Sequence, residues 1–281
     1  MDINRLSEIT RCNLDLYRAS ENRIAVGTKA HISVLCRHFC RQSFADTDEA
    51  RQYYNRLMSE LKASEKERRI FCSLLYDMAK EENAQFILSA YTTAKPKKNA
   101  SVIYMRNPLC DIAYDRFCHC FSTLSAEYEV SFADCAARLY SDDCDYIILP
   151  VANDEGRLHS FCRLIDRYEL HPVLCTTVHD EVNDTESVFA VVSKSIESFD
   201  GKSRELLDIS VSNSQSSFAK VIEFANTEGL LPYSADTLGA SLSEARAEIV
   251  FDVSEKNIYP FLTYAFFEIP RHIIIGIYKE I

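Results

Sequence analysis

The amino-acid sequence predicts a multi-domain protein with a helical part and an α/β part, and three patterns lead to this fold class. From Ile3 to about Ala90, apolar residues recur at helical spacing, and Gly and Pro are almost absent. From Ser101, short apolar strands alternate with helical segments. From Leu206, the order strand, helix, strand, strand, helix, strand is that of a ferredoxin-like unit.

Two polar stretches, "TTAKPKKNAS" and "SIESFDGKSRE", are predicted to be linkers between these parts. We therefore expect a helical domain at 1–91, a single α/β lobe at 101–195 and a βαββαβ domain at 205–281. The chain has 281 residues, of which 47% are hydrophobic and 26% are charged. This composition is typical of an ordered globular protein and excludes a disordered chain.

The helical domain divides into three helices, of which the first is unusually long. One break lies at "QSFADTDE", where Ser43, Asp46 or Asp48 can cap the second helix. Another lies at "KASEKE", where Ser64 can cap the third helix with Glu67 as its capping-box partner.

The α/β segment has the strands "SVIYM", "EYEVS", "DYIILPV", "HPVLCTTV" and "SVFAVVS". Helices lie between most of them, which predicts a mainly parallel sheet. After the strand that ends at Pro150, a polar turn with Asn153 and Gly156 leads into a helix from Leu158. A strand, a turn with ligand-type side chains and a helix therefore meet at this point.

The charge excludes some partners. The net charge is −11 and the pI is about 5.2, so neither nucleic acid nor an anionic membrane is attracted to the surface as a whole. No apolar run reaches the roughly 20 residues that a membrane span needs. The start, "MDINRLSEIT", lacks the basic and apolar regions of a signal peptide. We expect a cytoplasmic protein that binds neither nucleic acid nor membrane.

Eleven cysteines are scattered through helical and strand patterns. The odd count and the expected cytoplasmic location favour free thiols. The Cys118-His119-Cys120 run and the Cys36/Cys40 pair raise the question of a metal, but no second pair has the spacing of a zinc site. We expect no metal and no cofactor.

The order of helical, α/β and βαββαβ segments resembles the bifunctional chorismate mutase/prephenate dehydratase family of phenylalanine biosynthesis, which ends in an ACT regulatory domain. The stretch "DYIILPVANDEG" is similar to the dehydratase segment "D-Y-G-V-x-P-I-E-N-S-x-x-G", and "SFADCAARLYSDDC" before it has "F-x-D-x-x-x-x-V" character. The resemblance covers nearly the whole chain. It implies a place in aromatic amino acid biosynthesis.

The dehydratase part departs from the family. Where the family has a Gly-rich "G-P-x-G-T-F-S" turn, this chain has "YMRNPLCD", whose Met105, Arg106 and Pro108 block a close approach of backbone to substrate. Of the family's "E-N-S", only Asn153 remains. We expect Asn153 to be mainly structural and keep it as a weak ligand-binding candidate.

The family's "T-R-F", whose Thr and Arg serve the elimination and hold a carboxylate, falls on Ser187, Val188 and Phe189. The chain also returns from Val178 to Ser187 through a short polar connection, so the second dehydratase lobe is expected to be missing. A cleft with one wall can neither exclude water nor clamp a dianion. Dehydratase activity is therefore disfavoured.

The helical part keeps more of the mutase pattern. Chorismate rearrangement needs cations on two carboxylates and a donor at the ether oxygen. Asp48, Arg51 and Gln52 are similar to the family's "D-x-x-R-E" motif on the second helix, with Gln for Glu. The "RIF" that resembles the start of the third helix places Met78 at the family's Ser and Glu82 at its Gln, so Glu82 would have to be protonated to donate.

On the first helix, Arg18 and Lys29 are three turns apart and share a face, as the family's Arg and Lys do, and Arg11 could reach across from a partner chain. Arg23 and Arg37 are an alternative pair. A third alternative is that these cations are solvated charges on helix surfaces, which need no further role.

The βαββαβ segment has diverged from the ACT pattern, because "NSQSSFAKV" and "LPYSADTL" stand where the family has "G-A-L" and "E-S-R-P". We expect a homodimer, with a small carboxylate such as chorismate or prephenate as the implied ligand. The main hypothesis is a diverged family member whose residual activity is the chorismate to prephenate rearrangement. The alternative is a non-catalytic dimeric paralogue with a ligand-binding or regulatory role.

Overall fold

The computed structural model describes residues 24–82, 84, 93–199, 203–212, 215–241 and 244–281. The chain forms two compact units. A helical unit consists of the residues before 93 with 219–229 and 257–270, and a sheet unit consists of 93–218, 230–256 and 271–281. In the described part of the chain, no helix combines the length and the apolar character that a membrane span requires.

Within the described residues, five helices contribute to the helical unit. They are α1 (Ile24–Cys40), α2 (Thr47–Glu60), α3 (Glu65–Glu81), most of α7 (Gln215–Thr227) and α8 (Tyr259–Glu268). The beginning of the long first helix predicted from the sequence lies outside the described residues.

The predicted helix starts at α2 and α3 are confirmed. Of the three candidate caps for α2, it is Asp46 that accepts a hydrogen bond from the backbone N–H of Glu49, at 2.8 Å. Ser64 caps α3, and Glu67 completes the capping box by accepting from the Ser64 backbone N–H at 2.7 Å. Each cap satisfies backbone donors that have no partner within the helix.

Aromatic side chains form the core of the helical unit. The ring of Phe39 from α1 lies 5.8 Å from that of Phe71 in α3 and 5.7 Å from that of Phe267 in α8, in edge-to-face contacts. Tyr54 from α2 stacks on Phe267 with ring centroids 4.5 Å apart. A helix from the C-terminal third of the chain therefore completes this core. The three-domain division at 1–91, 101–195 and 205–281 stays a prediction.

The sheet unit contains one ten-stranded sheet with the order β2-β1-β3-β6-β5-β10-β7-β9-β8, and β4 pairs with β3 outside this order. The strands are β1 (Asn99–Met105), β2 (Thr123–Glu129), β3 (Tyr146–Asn153), β4 (Gly156–Arg157), β5 (His171–Asp180), β6 (Thr185–Ser193), β7 (Arg204–Ser212), β8 (Leu231–Ser241), β9 (Glu244–Asp252) and β10 (Ile273–Glu280). The other helices in the described part of the chain are α4 (Pro108–Cys118), α5 (Phe132–Tyr140) and α6 (His159–Tyr168).

The predicted mainly parallel sheet is wrong. β1 pairs in parallel with β2 and with β3, as expected for strands joined through α4 and α5. β6, however, pairs antiparallel with both β3 and β5. The physical reason is the short connection at 181–184, since two strands joined by so few residues can form only a hairpin, whereas a parallel pair needs a crossover of a dozen or more residues. Val178 lies directly opposite Ser187 in this hairpin.

The C-terminal strands follow the predicted βαββαβ order. Their spatial order β10-β7-β9-β8 is antiparallel throughout, so the first strand of the segment, β7, lies between the last, β10, and the third, β9. This is the arrangement of a ferredoxin-like unit. β10 also pairs in parallel with β5, which makes the sheet continuous.

Candidate functional site

The turn after β1 is built to start a helix. Asn107 caps α4 by accepting a hydrogen bond from the Cys110 backbone N–H at 3.0 Å. The exposed guanidinium of Arg106 lies 5.0 Å from the ring centroid of Tyr128 on β2. Side chains therefore occupy the turn at which the resemblance places an approach of bare backbone to substrate.

Ser187, Val188 and Phe189 lie within the paired strand β6. Val188 is half-buried and packs against the apolar core of the sheet unit, while Phe189 is buried. Val188, at the position where the resemblance places the carboxylate-binding Arg, thus contributes an apolar contact and no charge.

Asn153 lies in an exposed two-residue hairpin between β3 and β4, opposite Gly156. Its side-chain oxygen accepts a hydrogen bond from the Glu155 backbone N–H at 3.0 Å. Gly156 has φ of +111°, a value that L side chains rarely adopt. These contacts describe a structural turn, and ligand binding by Asn153 stays a prediction.

The mutase candidates on the first helix are only partly within the described residues. Arg11, Arg18 and the alternative Arg23 lie outside them. Lys29 is exposed on α1, and Arg37 lies further along the same helix. The shared face of Arg18 and Lys29, and the reach of Arg11 from a partner chain, stay predictions.

Arg51 and Asp48 form an exposed pair on α2, with Nη1 of Arg51 3.7 Å from Oδ1 of Asp48. The guanidinium of Arg51 also packs on α8. Its carbon Cζ lies 4.2 Å from the ring centroid of Phe266, and Nε donates to the Phe266 carbonyl oxygen at 3.0 Å. Arg51 therefore joins two helices of this unit through a cation–π contact and a hydrogen bond.

Glu82, which caps the C-terminal end of α3, is held by Arg37 of α1 and by Arg41 in the turn that follows α1. Its carboxylate accepts from Arg41 at 2.7 and 3.0 Å, and Nε of Arg37 lies 3.0 Å from Oε1. The hydrogen bond from Arg41 is the main cause that lowers the pKa of Glu82 below its ordinary value of 4.5, and the charge of Arg37 adds to it. An ionised carboxylate can only accept hydrogen bonds, so Glu82 does not offer an ether-oxygen donor at neutral pH.

Gln52 is exposed and lines a pocket of about 450 Å³ within the helical unit. The pocket is lined by Gln42, Ser43, Phe44, Glu49, Gln52, Tyr53 and Arg56. Lys29, Arg51 and Glu82 do not line this pocket. The four mutase candidates Lys29, Arg51, Gln52 and Glu82 therefore do not share one pocket.

A second cavity, here named the α1/α3/α7 groove, also lies within the helical unit and has a volume of about 750 Å³. It is lined by Lys29, Glu65, Lys66, Arg69, Ile70, Ser73, Leu74, Glu223, Thr227 and Glu228. The size is within the range of cavities that hold small molecules. Of the candidates chosen from the sequence, this groove contains Lys29.

The centre of the groove is an ion network. Arg69 is bonded to Glu223 of α7, and its Nε lies 3.5 Å from Oε1 of Glu65. Glu65 also accepts a hydrogen bond from Tyr264 of α8 and lies 3.9 Å from Nζ of Lys220. The charge of Arg69 is therefore neutralised by the protein itself.

The sequence analysis missed a buried ion cluster in the sheet unit, here named the Arg157 cluster (Arg157, Asp208 and Glu248). Nη2 of Arg157 lies 2.6 Å from Oδ2 of Asp208 on β7 and 2.5 Å from Oε1 of Glu248 on β9. The side chains of Arg157, Asp208 and Glu248 are 10%, 0% and 2% exposed. The hairpin at Asn153 thus serves to place a cation beside two buried carboxyl groups.

The two carboxyl groups compete for one cation. Burial and the nearby charge of Asp208 raise the pKa of Glu248 to about 9. Both carboxyl oxygens of Glu248 are buried without an aligned hydrogen-bond partner among the described residues. Burial of two negative charges beside one positive charge is costly, so Glu248 carries a proton at neutral pH and the cluster is neutral overall.

A signal for this cluster is present in the sequence. Asp208 stands in "LLDISV" and Glu248 in "AEIVFDV", and each interrupts a run of buried strand residues. A charged residue in such a run requires a partner.

Comparisons with known proteins support the fold. No protein-family model and no curated protein match the sequence. Among solved structures, the chain is similar to prephenate dehydratase from Streptococcus mutans, with a TM-score of 0.51 and 16% identity over 64% of this chain and 98% of that chain. It is also similar to prephenate dehydratase in complex with L-Phe from Arthrobacter aurescens, with a TM-score of 0.50 and 9% identity over 64% of this chain and 89% of that chain. The chain therefore has a prephenate-dehydratase-like fold.

Proposed function

We propose that the chain is a non-catalytic relative of the prephenate dehydratases, with a ligand-binding or regulatory role in aromatic amino acid biosynthesis. The observation that carries this proposal is Val188, which packs against the apolar core at the position where the resemblance has a carboxylate-binding arginine. A hydrophobic side chain supplies no charge to hold an anionic substrate. Asn107 and Asn153 also support the proposal, because each side chain accepts a hydrogen bond from the nearby backbone.

Chorismate mutase activity of the helical unit is the second candidate. Lys29 and the Asp48–Arg51 pair favour it, since they match the residue types that the mutase requires. The ionised Glu82 weighs against it, because a donor to the ether oxygen is a central requirement of that reaction. We therefore rank it second.

The C-terminal segment fits an ACT-like role in assembly. Its βαββαβ order and antiparallel strand arrangement support an ACT-like domain. The absence of the family's effector motifs from "NSQSSFAKV" and "LPYSADTL" supports assembly over effector binding. We propose a homodimer, and light scattering of the purified protein at micromolar concentration tests it, with a monomeric mass as the contradicting result.

The dehydratase side of the proposal is tested by incubating the purified full chain with prephenate and measuring phenylpyruvate. We expect no formation above the protein-free rate. Formation that increases in proportion to protein concentration would overturn the proposal. Retained circular dichroism of the same sample shows that an inactive preparation is folded.

A further inference from the structure

We propose that the α1/α3/α7 groove binds a small organic monocarboxylate with an apolar body, and that Lys29 and Lys66 bind its carboxylate. This inference rests on the proposed ligand-binding function and names the ligand class and the site. It assigns a role to Lys66, Ile70 and Leu74, which the sequence analysis did not select.

The two lysines lie at the same end of the groove, because α1 and α3 run in the same direction side by side. Sγ of Cys36 donates to the Phe71 carbonyl oxygen at 3.5 Å, and Arg41, just after the end of α1, binds Glu82, the cap at the end of α3. Lys29 is seven residues before Cys36, and the residue seven before Phe71 is the cap of α3. Lys29 is therefore level with the first turn of α3, which carries Lys66.

These lysines have charge available for a ligand. Both are exposed, and neither makes an ion pair with another described residue. Arg69, in contrast, is bonded to Glu223, and its buried Nε has no hydrogen-bond partner in the described part of the chain. Two available ammonium groups make this end of the groove suited to one carboxylate.

The middle and the far end of the groove define the rest of the ligand. Ile70 and Leu74 are half-buried on the groove side of α3 and can cover an apolar body. At the far end, Ser73 Oγ donates to Oε1 of Glu228 at 2.8 Å. Seven residues of helix separate Lys66 from Ser73, which is about 10 Å. A molecule of this length with a hydrogen-bond donor at its far end fits the groove.

The acidic lining excludes ligands of higher charge. Glu65, Glu223 and Glu228 line the same groove as the cations, and the whole chain has a net charge of −11. A polyphosphate or a nucleic acid would meet these carboxylates with like charge, which disfavours binding. A monoanion with an apolar body meets less of this repulsion and can contact both the cations and the apolar side chains of the lining.

The test is an NMR titration of the full chain with phenylpropanoate as the probe. We expect saturable shifts of backbone amides in α1 and α3 with a Kd of about 1 mM, because a ligand of this size contributes only a few tenths of a kcal/mol per atom. Lys29→Gln and Lys66→Gln should each weaken binding about fivefold, as expected for partly solvated charge pairs. The neutral phenylpropanamide and inorganic phosphate should both bind at least about fivefold more weakly than phenylpropanoate.

Lys98→Gln is the matched control, since it removes the same charge at an exposed position of the sheet unit and should leave the affinity unchanged. Saturable binding that is equal in wild type, Lys29→Gln and Lys66→Gln would overturn the assignment, and so would the absence of binding. Turnover of prephenate or chorismate together with lysine-dependent probe binding would contradict the proposed non-catalytic function and leave the groove assignment standing.

Discussion

Arg157 and Asp208 form a buried ion pair, in which Nη2 of Arg157 donates to Oδ2 of Asp208 at 2.6 Å. Asp208 is completely buried, and Arg157 is also close to Glu248. The pair joins the short strand β4, which follows the exposed hairpin at Asn153, to β7 of the C-terminal strands. One buried contact therefore connects the hairpin after β3 to the C-terminal strands.

Arg157→Met should destabilise the protein by about 3–5 kcal/mol, because it leaves the buried charge of Asp208 without compensation, whereas in Asp208→Asn the neighbouring Glu248 can ionise in its place. Chemical denaturation followed by circular dichroism measures this loss. Asp252→Asn is the control, since Asp252 pairs with Arg204 at 3.3 Å near the surface and such pairs contribute about 0–1 kcal/mol. Equal losses in the free energy of unfolding would contradict this, because the buried pair would then contribute no more than the surface pair.

The stability of the sheet unit should depend on Glu248 and pH. The pKa of Glu248 is raised to about 9 in the folded chain from an ordinary value of 4.5, so the group takes up a proton on folding. Its contribution is present at low pH and is lost as the pH rises through the folded pKa. Relative to Glu248→Gln, the free energy of unfolding of the wild type should fall between about pH 5 and 9. Parallel pH profiles of the two proteins would contradict this.

Arg51→Ala should destabilise the helical unit by about 1–2 kcal/mol, since it removes the cation–π contact with Phe266 and the hydrogen bond to the Phe266 carbonyl oxygen. Arg56→Ala is the control on the same helix, because Arg56 is exposed and lies 5.3 Å from the Tyr53 ring. Thermal denaturation should give a clearly larger decrease in Tm for Arg51→Ala. The mutase hypothesis predicts the opposite, namely a loss of activity with unchanged folding.

Glu82 should titrate below its ordinary pKa of 4.5, because Arg41 and Arg37 favour the ionised form. Its side-chain carbon shift in NMR spectra reports the titration directly. Arg41→Gln should move the midpoint towards the ordinary value, and Arg37→Gln should move it less, since the hydrogen bond from Arg41 is the main cause. A midpoint above 4.5 in the wild type would restore Glu82 as a candidate donor.

Local structure in the helical unit was predictable from the sequence. The capping box of Ser64 and Glu67 and the cap at Asp46 depend on residues only three positions apart, so short-range spacing determines them. The packing of Phe267 on Phe39 and Tyr54 joins residues far apart in sequence. No local pattern indicates such a contact.

The sheet was predictable in element order but not in strand direction. The short connection at 181–184 is visible in the sequence, and it is too short for β5 and β6 to pair in parallel. The Arg157 cluster brings together three strands, and the α1/α3/α7 groove brings together three helices. In the sequence, Lys66 resembles any other surface charge, because its place beside Lys29 of α1 depends on the packing of the helices.

We propose that this chain, with its prephenate-dehydratase-like fold, catalyses neither prephenate dehydration nor chorismate rearrangement, and a chorismate consumption assay tests the second part most directly. The absorbance of chorismate is followed with purified full chain across a range of pH that includes the acid side. We predict a rate equal to that without protein at every pH. A rate that rises with protein concentration and is lost in a folded Arg51→Ala variant would contradict the account and establish a chorismate mutase.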